Sequence, residues 1–445
     1  MIVPRDLLLD ARPVPDGVDL VRLFRAVGGA QQDVFWLDAG AGAARGWSIL
    51  GVGEVDAAGP GNVRLDTDAA ADAGQPPFRG GWVGWLDFES GALRAGAPAA
   101  ESEGGPAWMR VTAAIAVDHA TGAVWELGEK LLDRAEEASR GSLSELEARR
   151  NALSDELSEE SKRPEAHARH TPSEYTALIE RCRDAIRAGD AYQLCLTTRF
   201  TVPGIHDPID TYLRLREATP AHHGGFIRIG DRALLSASPE TFLHAAGGSI
   251  RTRPIKGTRP RGADPASDAD LAAELLASPK ERAENVMIVD LMRNDLSRVC
   301  EPGSIRVEGL WEVESYPAVH QLVSTVSGRA AEHVTVQELW DAAFPAGSMT
   351  GAPKLSAMML LHDLESRRAR GVYSGCFGYV GADGAIDLAM VIRSILVTAD
   401  RAVVGAGGGI TWGSIADDEV DEVATKARAP LAALGADLPA AWRRR

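Results

Sequence analysis

Glycine and proline divide this chain of 445 residues into an early part with many short strands and a later part with long helices. Before about residue 130, runs of β-branched and aromatic residues are bounded by glycine, proline or aspartate, as in Asp33–Leu37, Trp47–Gly51 and Gly80–Trp85. Such runs favour a sheet-rich region. Residues 129–170 are rich in glutamate, arginine and serine and predict a helix followed by a mobile connection.

The later part carries local signals for helices. Thr171 and Glu174 form a capping-box pattern with Pro172 at the first helical position, which predicts a helix to about Ala188 that stops at Gly189. Further elements are expected as helices from Ser278, from about Pro353 and over Asp417–Ala429, and as strands over Tyr192–Phe200, Phe377–Val380, Ile386–Val397 and Ala402–Ala406.

Composition excludes several classes of protein. The 63 acidic residues outnumber the 47 basic ones, and the formal charge of −16 argues against nucleic acid as a partner. An anionic substrate would therefore need arginines, backbone N–H groups or a bound cation. Four scattered cysteines without a C-x-x-C pair are typical of reduced thiols in a cytoplasmic protein, and no apolar run is long enough to cross a membrane.

A single lysine stands out in the segment Thr252–Gly262. Lys256 lies between an isoleucine and Gly257 and is flanked by two Arg-Pro pairs. Proline fixes φ, and Gly257 lets the backbone approach a ligand. A lysine in a stiff, partly apolar segment loses hydration, which favours a nucleophilic amine. A basic surface loop is the alternative.

An acidic residue can be placed beside this lysine. Gly247 and Gly248 lie midway between Glu240 and Lys256 and predict a hairpin that brings the two side chains to one end of a ribbon. Pro254 could impose the bulge that the register requires. An acid beside an amine nucleophile suits substitution of a poor leaving group, although an ordinary ion pair remains possible.

Two Glu-x-x-Glu pairs, Glu281/Glu284 and Glu419/Glu422, lie far apart in the chain. Three-residue spacing places both carboxylates of a pair on one face of a helix. Four carboxylates from two helices would suit Mg²⁺ with retained waters.

Each pair also has a structural explanation. Glu281 could close a capping box with Ser278, and Glu422 could pair with Lys426 one turn later. Glu284 has no such alternative and is the stronger candidate in its pair.

Two glycine-rich segments and one arginine complete the candidates. Gly347–Lys354 leads into a helix N-terminus, and Gly405–Ile410 lacks the last glycine of the dinucleotide fingerprint. Both segments could bind carboxylates through the backbone, with tight turns as the alternative. Arg393 interrupts an apolar strand and needs a partner, either a substrate carboxylate or a structural salt bridge.

Taken together and in order, these segments resemble the chorismate-utilising enzymes over about residues 172 to 430. This family includes anthranilate synthase component I, aminodeoxychorismate synthase component I, and the isochorismate and salicylate synthases. The segments that carry the resemblance are Gly189–Gln193, Ser238–Glu240, Pro254–Thr258, Glu281–Asn285, Val289–Asp295, His320–Ser324, Gly351–Lys354, Arg370–Gly375, Ile392–Ser394 and Glu419–Glu422.

Three positions indicate a branch of the family. Isochorismate and salicylate synthases carry a water-activating lysine where Gln193 stands here. Anthranilate synthases usually have alanine where this chain has Lys256, and lysine there is typical of aminodeoxychorismate synthases. Thr350 also looks more similar to that branch.

The resemblance implies an α/β fold built as a large sandwich of mostly antiparallel β-sheets flanked by helices. It implies an N-terminal subdomain over residues 1–150 and a chorismate-binding catalytic domain over residues 171–430. The implied reaction converts chorismate and ammonia into 4-amino-4-deoxychorismate for p-aminobenzoate and folate synthesis. Anthranilate synthase component I is the alternative.

The resemblance also implies roles for single residues. Lys256 would attack ring carbon 2 of chorismate, and Glu240 would act as the general acid for the departing 4-hydroxyl. The residues expected to contact the substrate are Gly257, Thr258, His320, Thr350, Tyr373, Arg393, Gly407, Gly408 and Gly409.

A cofactor and a partner follow from the same resemblance. Mg²⁺ would be held by Glu284 and Glu422, with Glu281 and Glu419 nearby. None of the four cysteines lies in a Gly-x-Cys-x-Gly pattern, so we expect a separate glutamine amidotransferase subunit to supply ammonia.

Overall fold

A computed structural model describes residues 7–15, 17–65, 74–134, 163–316 and 319–443 of the chain. Most of the helix and connection predicted over residues 129–170 lies outside the described residues.

The described residues contain twenty strands. They are β1 Ala11–Val14, β2 Val34–Asp38, β3 Trp47–Val55, β4 Gly81–Leu86, β5 Ala107–Asp118, β6 Val124–Gly128, β7 His167–Ala168, β8 Gln193–Pro203, β9 His223–Ile229, β10 Arg232–Ser238, β11 Thr241–Ala246, β12 Ser249–Thr252, β13 Ile255–Pro260, β14 Arg306–Ser315, β15 Val319–Arg329, β16 Gly351–Ala352, β17 Cys376–Gly381, β18 Ile386–Met390, β19 Ser394–Val397 and β20 Arg401–Ile410.

Ten α-helices lie in the same described ranges. They are α1 Leu20–Ala30, α2 Phe88–Arg94, α3 Pro172–Ala188, α4 Pro208–Ala218, α5 Pro265–Ala277, α6 Pro279–Ser297, α7 Val336–Ala343, α8 Gly347–Thr350, α9 Lys354–Leu364 and α10 Ala416–Ala433.

Antiparallel pairing dominates the sheet, as the sequence predicted. The strands form one hydrogen-bonded network, and every strand-to-strand ladder between described residues is antiparallel. The long ladder between β8 and β20 runs from Pro203 opposite Arg401 to Leu194 opposite Ile410. Antiparallel sheets can be built from short connections, which fits the many turns between strands.

Helices cover the sheet through two large groups of buried apolar side chains. One group joins α1, α3, α4 and α10 to strands that include β8 and β20, with Phe24, Tyr175 and Tyr212 fully buried. The other joins α6 and α7 to strands that include β12 and β15 and contains Ile288 and Leu339. The helices α6 and α10 are therefore both anchored to the sheet.

Two ladders connect the early and the later part of the chain. Strand β2 pairs with β9, and β4 pairs with β17. The division of the chain into residues 1–150 and 171–430 remains a prediction. Backbone hydrogen bonds of these two ladders join the two parts.

Local signals located several elements correctly. The side chain of Thr171 accepts a hydrogen bond from the backbone of Glu174, and Pro172 opens α3, which ends at Gly189 in the left-handed conformation. Ser278 caps α6 in the same way. Gly247 and Gly248, both with positive φ, form the turn between β11 and β12.

Two predicted elements differ from the structure. The strand expected over Ile386–Val397 is two strands, β18 and β19, because Arg393 between them has a φ of 52°. The last helix continues to Ala433 instead of ending at Ala429, with Pro430 inside it.

Cys182, Cys195, Cys300 and Cys376 are all free and buried. Among the described residues, no helix is long and apolar enough to cross a membrane.

Candidate active site

Lys256 occupies a bulge in β13. Ile255 pairs with Val323 and Thr258 with Gln321, so three steps on β13 oppose two on β15. Gly257, with a φ of 80°, takes up the extra residue. The bulge lies at Lys256 and Gly257 in the ladder with β15. The bulge predicted at Pro254 belonged to a ribbon with the strand of Glu240, and the ladder of that ribbon ends at Arg251 opposite His244.

The Lys256 amine points toward the glutamate pairs. Its Nζ lies 4.0 Å from Oε2 of Glu284, and 15% of the side chain is exposed. A Cβ added to Gly409 on β20 would lie 3.3 Å from the same Nζ. Strands β13 and β20 thus come close together at this amine, and the surface-loop alternative does not describe it.

Glu240 is a buried carboxyl in the same region. It follows β10 and accepts a hydrogen bond of 3.0 Å from the hydroxyl of Ser348. Burial raises the pKa of Glu240 to about 7, against the opposing effects of Lys256, Ser348 and Lys426. A carboxyl with this pKa holds a transferable proton near neutral pH, as a general acid must.

The two glutamate pairs project from α6 and α10 and interact electrostatically. Burial is the main cause of a raised pKa at Glu284, and the charges of Glu281 and Glu422 add to it. Burial likewise raises the pKa of Glu419, with a further contribution from Glu422. Carboxylates that repel one another and are partly shielded from water favour a bound cation.

Hydrogen bonds and ion pairs show which of the structural explanations holds for each glutamate pair. Glu422 does form the predicted ion pair with Lys426, 2.6 Å away. Burial disfavours ionised Glu422, but Lys426 and Lys256 outweigh it, so the pKa of Glu422 falls below its usual range. Glu281 donates only its backbone N–H to Ser278, and its carboxylate lies 3.6 Å from Nη1 of Arg259.

The donor set fits a hard cation. Within the described part of the chain, no group of three or more metal-ligating side chains is assembled closely enough to hold an ion. Magnesium needs no such group, because it keeps several waters and takes one or two carboxylates. Glu284 and Glu422, whose charges interact, are the carboxylates that would offer oxygen ligands to such an ion.

Gln193, at the start of β8, lies beside Lys256. In the sequence it stood out only as a position that differs between branches of the family. The residue is fully buried, and neither its Nε2 nor its Oε1 has a hydrogen-bond partner within the described residues. A Cβ on Gly409 would lie 2.4 Å from this Nε2. Buried amides are rarely left unpaired, so an unsatisfied one beside Lys256 suggests a ligand.

The glycines of β20 serve close packing and do not form a turn. Gly407 to Gly409 pair with β8 along the ladder, so the tight-turn alternative does not describe them, and binding of a carboxylate by their backbone remains a prediction. A Cβ on Gly408 would lie 2.9 Å from Oε2 of Glu419. A Cβ on Gly405 would overlap the ring of Tyr373 at 2.1 Å.

Arg393 and Tyr373 lie together near Glu422. The Arg393 side chain makes no hydrogen bond or ion pair with any described residue, so no structural salt bridge accounts for it. Burial lowers the pKa of Arg393, and the nearby Tyr373 and Glu422 oppose that effect. Burial also raises the pKa of Tyr373. The guanidinium is free to bind an anion.

Two predicted substrate contacts have partners inside the protein. His320 is buried on β15, with Nδ1 2.8 Å from the hydroxyl of Ser315 and Nε2 2.9 Å from Asp268. The fully buried hydroxyl of Thr350 donates to the carbonyl of Ala346 over 3.1 Å. Sequence spacing gives no sign of these local bonds.

The remaining predicted contacts lie along β13 and in the glycine-rich segment before α9. Thr258 pairs with Gln321, one step beyond the bulge. The loop expected to bind an anion contains α8, and Lys354 beyond it binds Asp295 at 2.6 Å. The ammonium of Lys354 therefore has a structural partner.

Comparison with known proteins shows the family of the chain. A family model described as chorismate binding enzyme matches residues 54–432. The chain belongs to the chorismate-binding enzyme family. It is 43% identical to an aminodeoxychorismate synthase of Streptomyces pristinaespiralis, over 80% of this chain and 51% of that protein. It is 39% identical to anthranilate synthase component 1 of Streptomyces coelicolor, over 83% of this chain and 76% of that one.

Solved structures of this family share the fold. The structure of anthranilate synthase component I from Streptococcus pneumoniae matches with a TM-score of 0.69 and 30% identity, covering 87% of this chain and 93% of that chain. The menaquinone-specific isochorismate synthase of Escherichia coli matches with a TM-score of 0.67 at 17% identity. The chain spans about half the length of the aminodeoxychorismate synthases from the two Streptomyces species it matches.

Proposed function

We propose that the chain catalyses the amination of chorismate to 4-amino-4-deoxychorismate, the reaction of aminodeoxychorismate synthase component I. One observation carries the proposal. The amine of Lys256 lies 4.0 Å from Glu284 and beside the unpaired amide of Gln193. In this family the lysine distinguishes amination at ring carbon 4 from the reaction of anthranilate synthase.

In the proposed reaction the nitrogen of Lys256 forms a bond to ring carbon 2. The ring double bonds shift, and the 4-hydroxyl leaves as water with the proton of Glu240. Ammonia then forms a bond to carbon 4, the double bonds shift back, and the bond to Lys256 breaks with its electron pair returning to the amine. The added nitrogen gives up one proton, which restores the acid form of Glu240. Glu240 suits the first step because its pKa of about 7 leaves it partly protonated at neutral pH.

Anion binding is assigned to two parts of the site. A Mg²⁺ ion held by Glu284 and Glu422, with Glu281 and Glu419 nearby, would neutralise the ring carboxylate of the substrate. Arg393, whose guanidinium has no partner within the described residues, would bind the other carboxylate.

The other contacts are also proposals. Tyr373 would border the same carboxylate as Arg393, while Gly257 and Thr258 would border the opposite side of the ring. His320 would orient the ring, and Thr350 remains a candidate contact. The backbone of Gly407, Gly408 and Gly409 would bind the same carboxylate as Arg393.

The cellular setting belongs to the same proposal. A separate glutamine amidotransferase would supply ammonia, the product would serve p-aminobenzoate and folate synthesis, and the protein would work in the cytoplasm. Residues 1–150 would form the N-terminal subdomain, and residues 171–430 the catalytic domain.

Product identification tests the proposal directly. Purified protein is incubated with chorismate, Mg²⁺ and an ammonium salt, and the products are analysed by mass spectrometry. We expect 4-amino-4-deoxychorismate without release of pyruvate, and we expect Lys256→Ala to abolish it. Full product formation by Lys256→Ala would refute the covalent role of the lysine.

Anthranilate synthase component I is the second candidate. The chain covers more of the Streptomyces coelicolor anthranilate synthase component than of the aminodeoxychorismate synthase from Streptomyces pristinaespiralis. Anthranilate is fluorescent and forms together with pyruvate, so both signals in the same incubation would establish this alternative.

A further inference from the structure

A cavity lies away from Lys256, at the far end of β8. It has a volume of about 600 Å³ and is bordered by β7, by β8 and by the turn after α9. Its lining includes Arg199, six positions along the strand from Gln193. Because a strand rises by about 3.3 Å per residue, the two side chains start about 20 Å apart. The cavity therefore lies far from Gln193, and Arg199 stands between it and a small cavity that Tyr373 and Gly405 border.

Positive charge dominates the lining of this arginine cavity. The charged lining consists of four arginines and two glutamates, together with His167: Arg169, Arg199, Arg367, Arg368, Glu101 and Glu103. This is an unusual concentration in a chain with a formal charge of −16. A concave site lined by several guanidinium groups favours anions, because each group offers a rigid fork of donors.

The carboxylates nearby do not balance these arginines. Glu103 lies 3.5 Å from Arg199 but is also bound by Arg401, at 2.8 Å. The side chain of Arg368 makes no hydrogen bond or ion pair with any residue in the described ranges. Arg367 pairs with Asp363 on the exposed side of the turn.

Arg169 is held in place without a carboxylate partner of its own. Its Nη2 donates to the carbonyl of Ala369 over 2.8 Å. Burial, with a further effect from the charge of Arg199, lowers the pKa of Arg169 to about 10. An anion placed between these guanidinium groups would offset both their loss of solvation and their mutual repulsion.

We propose that the arginine cavity binds a small anionic ligand that carries phosphate or carboxylate groups, through Arg169, Arg199 and Arg368. The volume lies in the range of small-molecule sites. Only 17% of the Arg199 side chain is exposed, so this guanidinium is recessed below the surface. A recessed donor suits a ligand that enters the cavity better than it suits the flat acidic face of another protein.

Calorimetric titration of the full chain with inorganic pyrophosphate, and separately with citrate, tests the proposal in low salt without Mg²⁺. We expect saturable binding, with the double variant Arg169→Ala/Arg368→Ala weakening it by at least about tenfold. Glu103→Gln should tighten binding, because it removes the carboxylate that competes for Arg199. Stronger binding of pyrophosphate would identify a phosphate ligand, and stronger binding of citrate a carboxylate ligand.

Arg25→Ala is the control for the change of charge, because Arg25 is an exposed residue of α1 paired with Asp210. It should leave binding unchanged. Arg368→Ala alone should already weaken binding. Because Arg368 is exposed, we expect this variant to fold normally. Equal weakening by Arg25→Ala, no effect of Arg368→Ala, or no binding of either anion at about 10 mM would overturn the proposal.

Discussion

At the scale of single residues, the candidate site collects side chains in energetically unfavourable states. Glu240 is a buried carboxyl with a raised pKa, and Gln193 is a buried amide with no partner among the described residues. Arg393 combines a positive φ with an unpaired guanidinium. Such costs persist where function requires them, so their concentration around Lys256 supports the assignment independently of sequence similarity.

The pKa of Glu240 gives a prediction for activity. The proposed acid must be protonated, so turnover should fall as pH rises through about 7 when free ammonia is held constant. Glu240→Gln should lower kcat by about 10²- to 10⁴-fold and remove this pH limb. Rates measured from about pH 6 to 9 at a fixed concentration of free ammonia provide the check. A variant with an unchanged pH limb would remove Glu240 from the role of acid.

The same pKa predicts that stability also falls with rising pH, so that Glu240→Gln should raise stability although it lowers activity. Because the folded state binds the Glu240 proton more tightly than the unfolded state, stability is lost as pH rises from 4.5 to about 7. The loss is of the order of 3 kcal/mol. Glu240→Gln cannot ionise and should therefore melt at a higher temperature than the wild type at about pH 8, with little difference at about pH 4. Equal melting temperatures at both values would contradict the burial argument.

Gln193 provides a second trade-off between stability and activity. Gln193→Met removes two unpaired polar atoms, so we expect a gain of about 1–3 kcal/mol in the free energy of unfolding, together with a loss of kcat/KM. Gln337→Met is the matched control. The Gln337 amide already binds Asp341 at 2.9 Å, and its loss should not stabilise the protein. Denaturant unfolding and steady-state kinetics test both effects. A destabilised Gln193→Met would mean that the amide has a structural partner.

At the scale of elements, local sequence signals predicted what short-range interactions determine. The start of α3 at Thr171, the cap of α6 at Ser278 and the turn at Gly247 all depend on contacts within a few residues. The break at Arg393 escaped prediction because an apolar run looks continuous when the backbone conformation is unknown. Pro430 stays inside α10 because the surrounding side chains are buried against the sheet.

Replacing Gly257 tests whether the bulge in β13 positions Lys256. Alanine there would keep a φ of 80°, which costs about 1–2 kcal/mol, and its Cβ would meet Leu275 at 2.8 Å and Glu281 at 3.0 Å. We therefore expect Gly257→Ala to displace Lys256 and to lose at least about tenfold in kcat/KM. Kinetic assays and thermal melts measure the two effects.

Gly303→Ala separates backbone strain from the effect on the site. Gly303 has a φ of 78°, and a Cβ there would meet no atom within 4 Å. Its replacement should cost similar backbone strain while leaving kcat/KM at the wild-type value. If both variants lost activity equally, the position of Lys256 would not depend on the bulge.

At the scale of the whole molecule, the fold brings distant parts of the chain to one amine. Glu284 on α6 and Glu422 on α10 interact although α6 packs against β13 and β15 and α10 packs against β20. Family resemblance predicted that these two glutamates share one site, because no local sequence signal connects two helices so far apart in the chain. It did not reveal the internal partners of His320 and Thr350, which depend on the packed structure.

If the two helices share a cation, Mg²⁺ should stabilise the protein without substrate. At a concentration about 100-fold above its Kd, Mg²⁺ should add about 2.7 kcal/mol to the free energy of unfolding. Glu284→Gln/Glu422→Gln should abolish this increment, whereas Glu180→Gln, which removes an exposed carboxylate paired with Arg183 on α3, should keep it. Melting curves with EDTA and with Mg²⁺ give the increment for each variant, so that changes in basal stability cancel. An equal increment in the double variant would place the ion elsewhere, because a cation held between α6 and α10 cannot bind without these carboxylates.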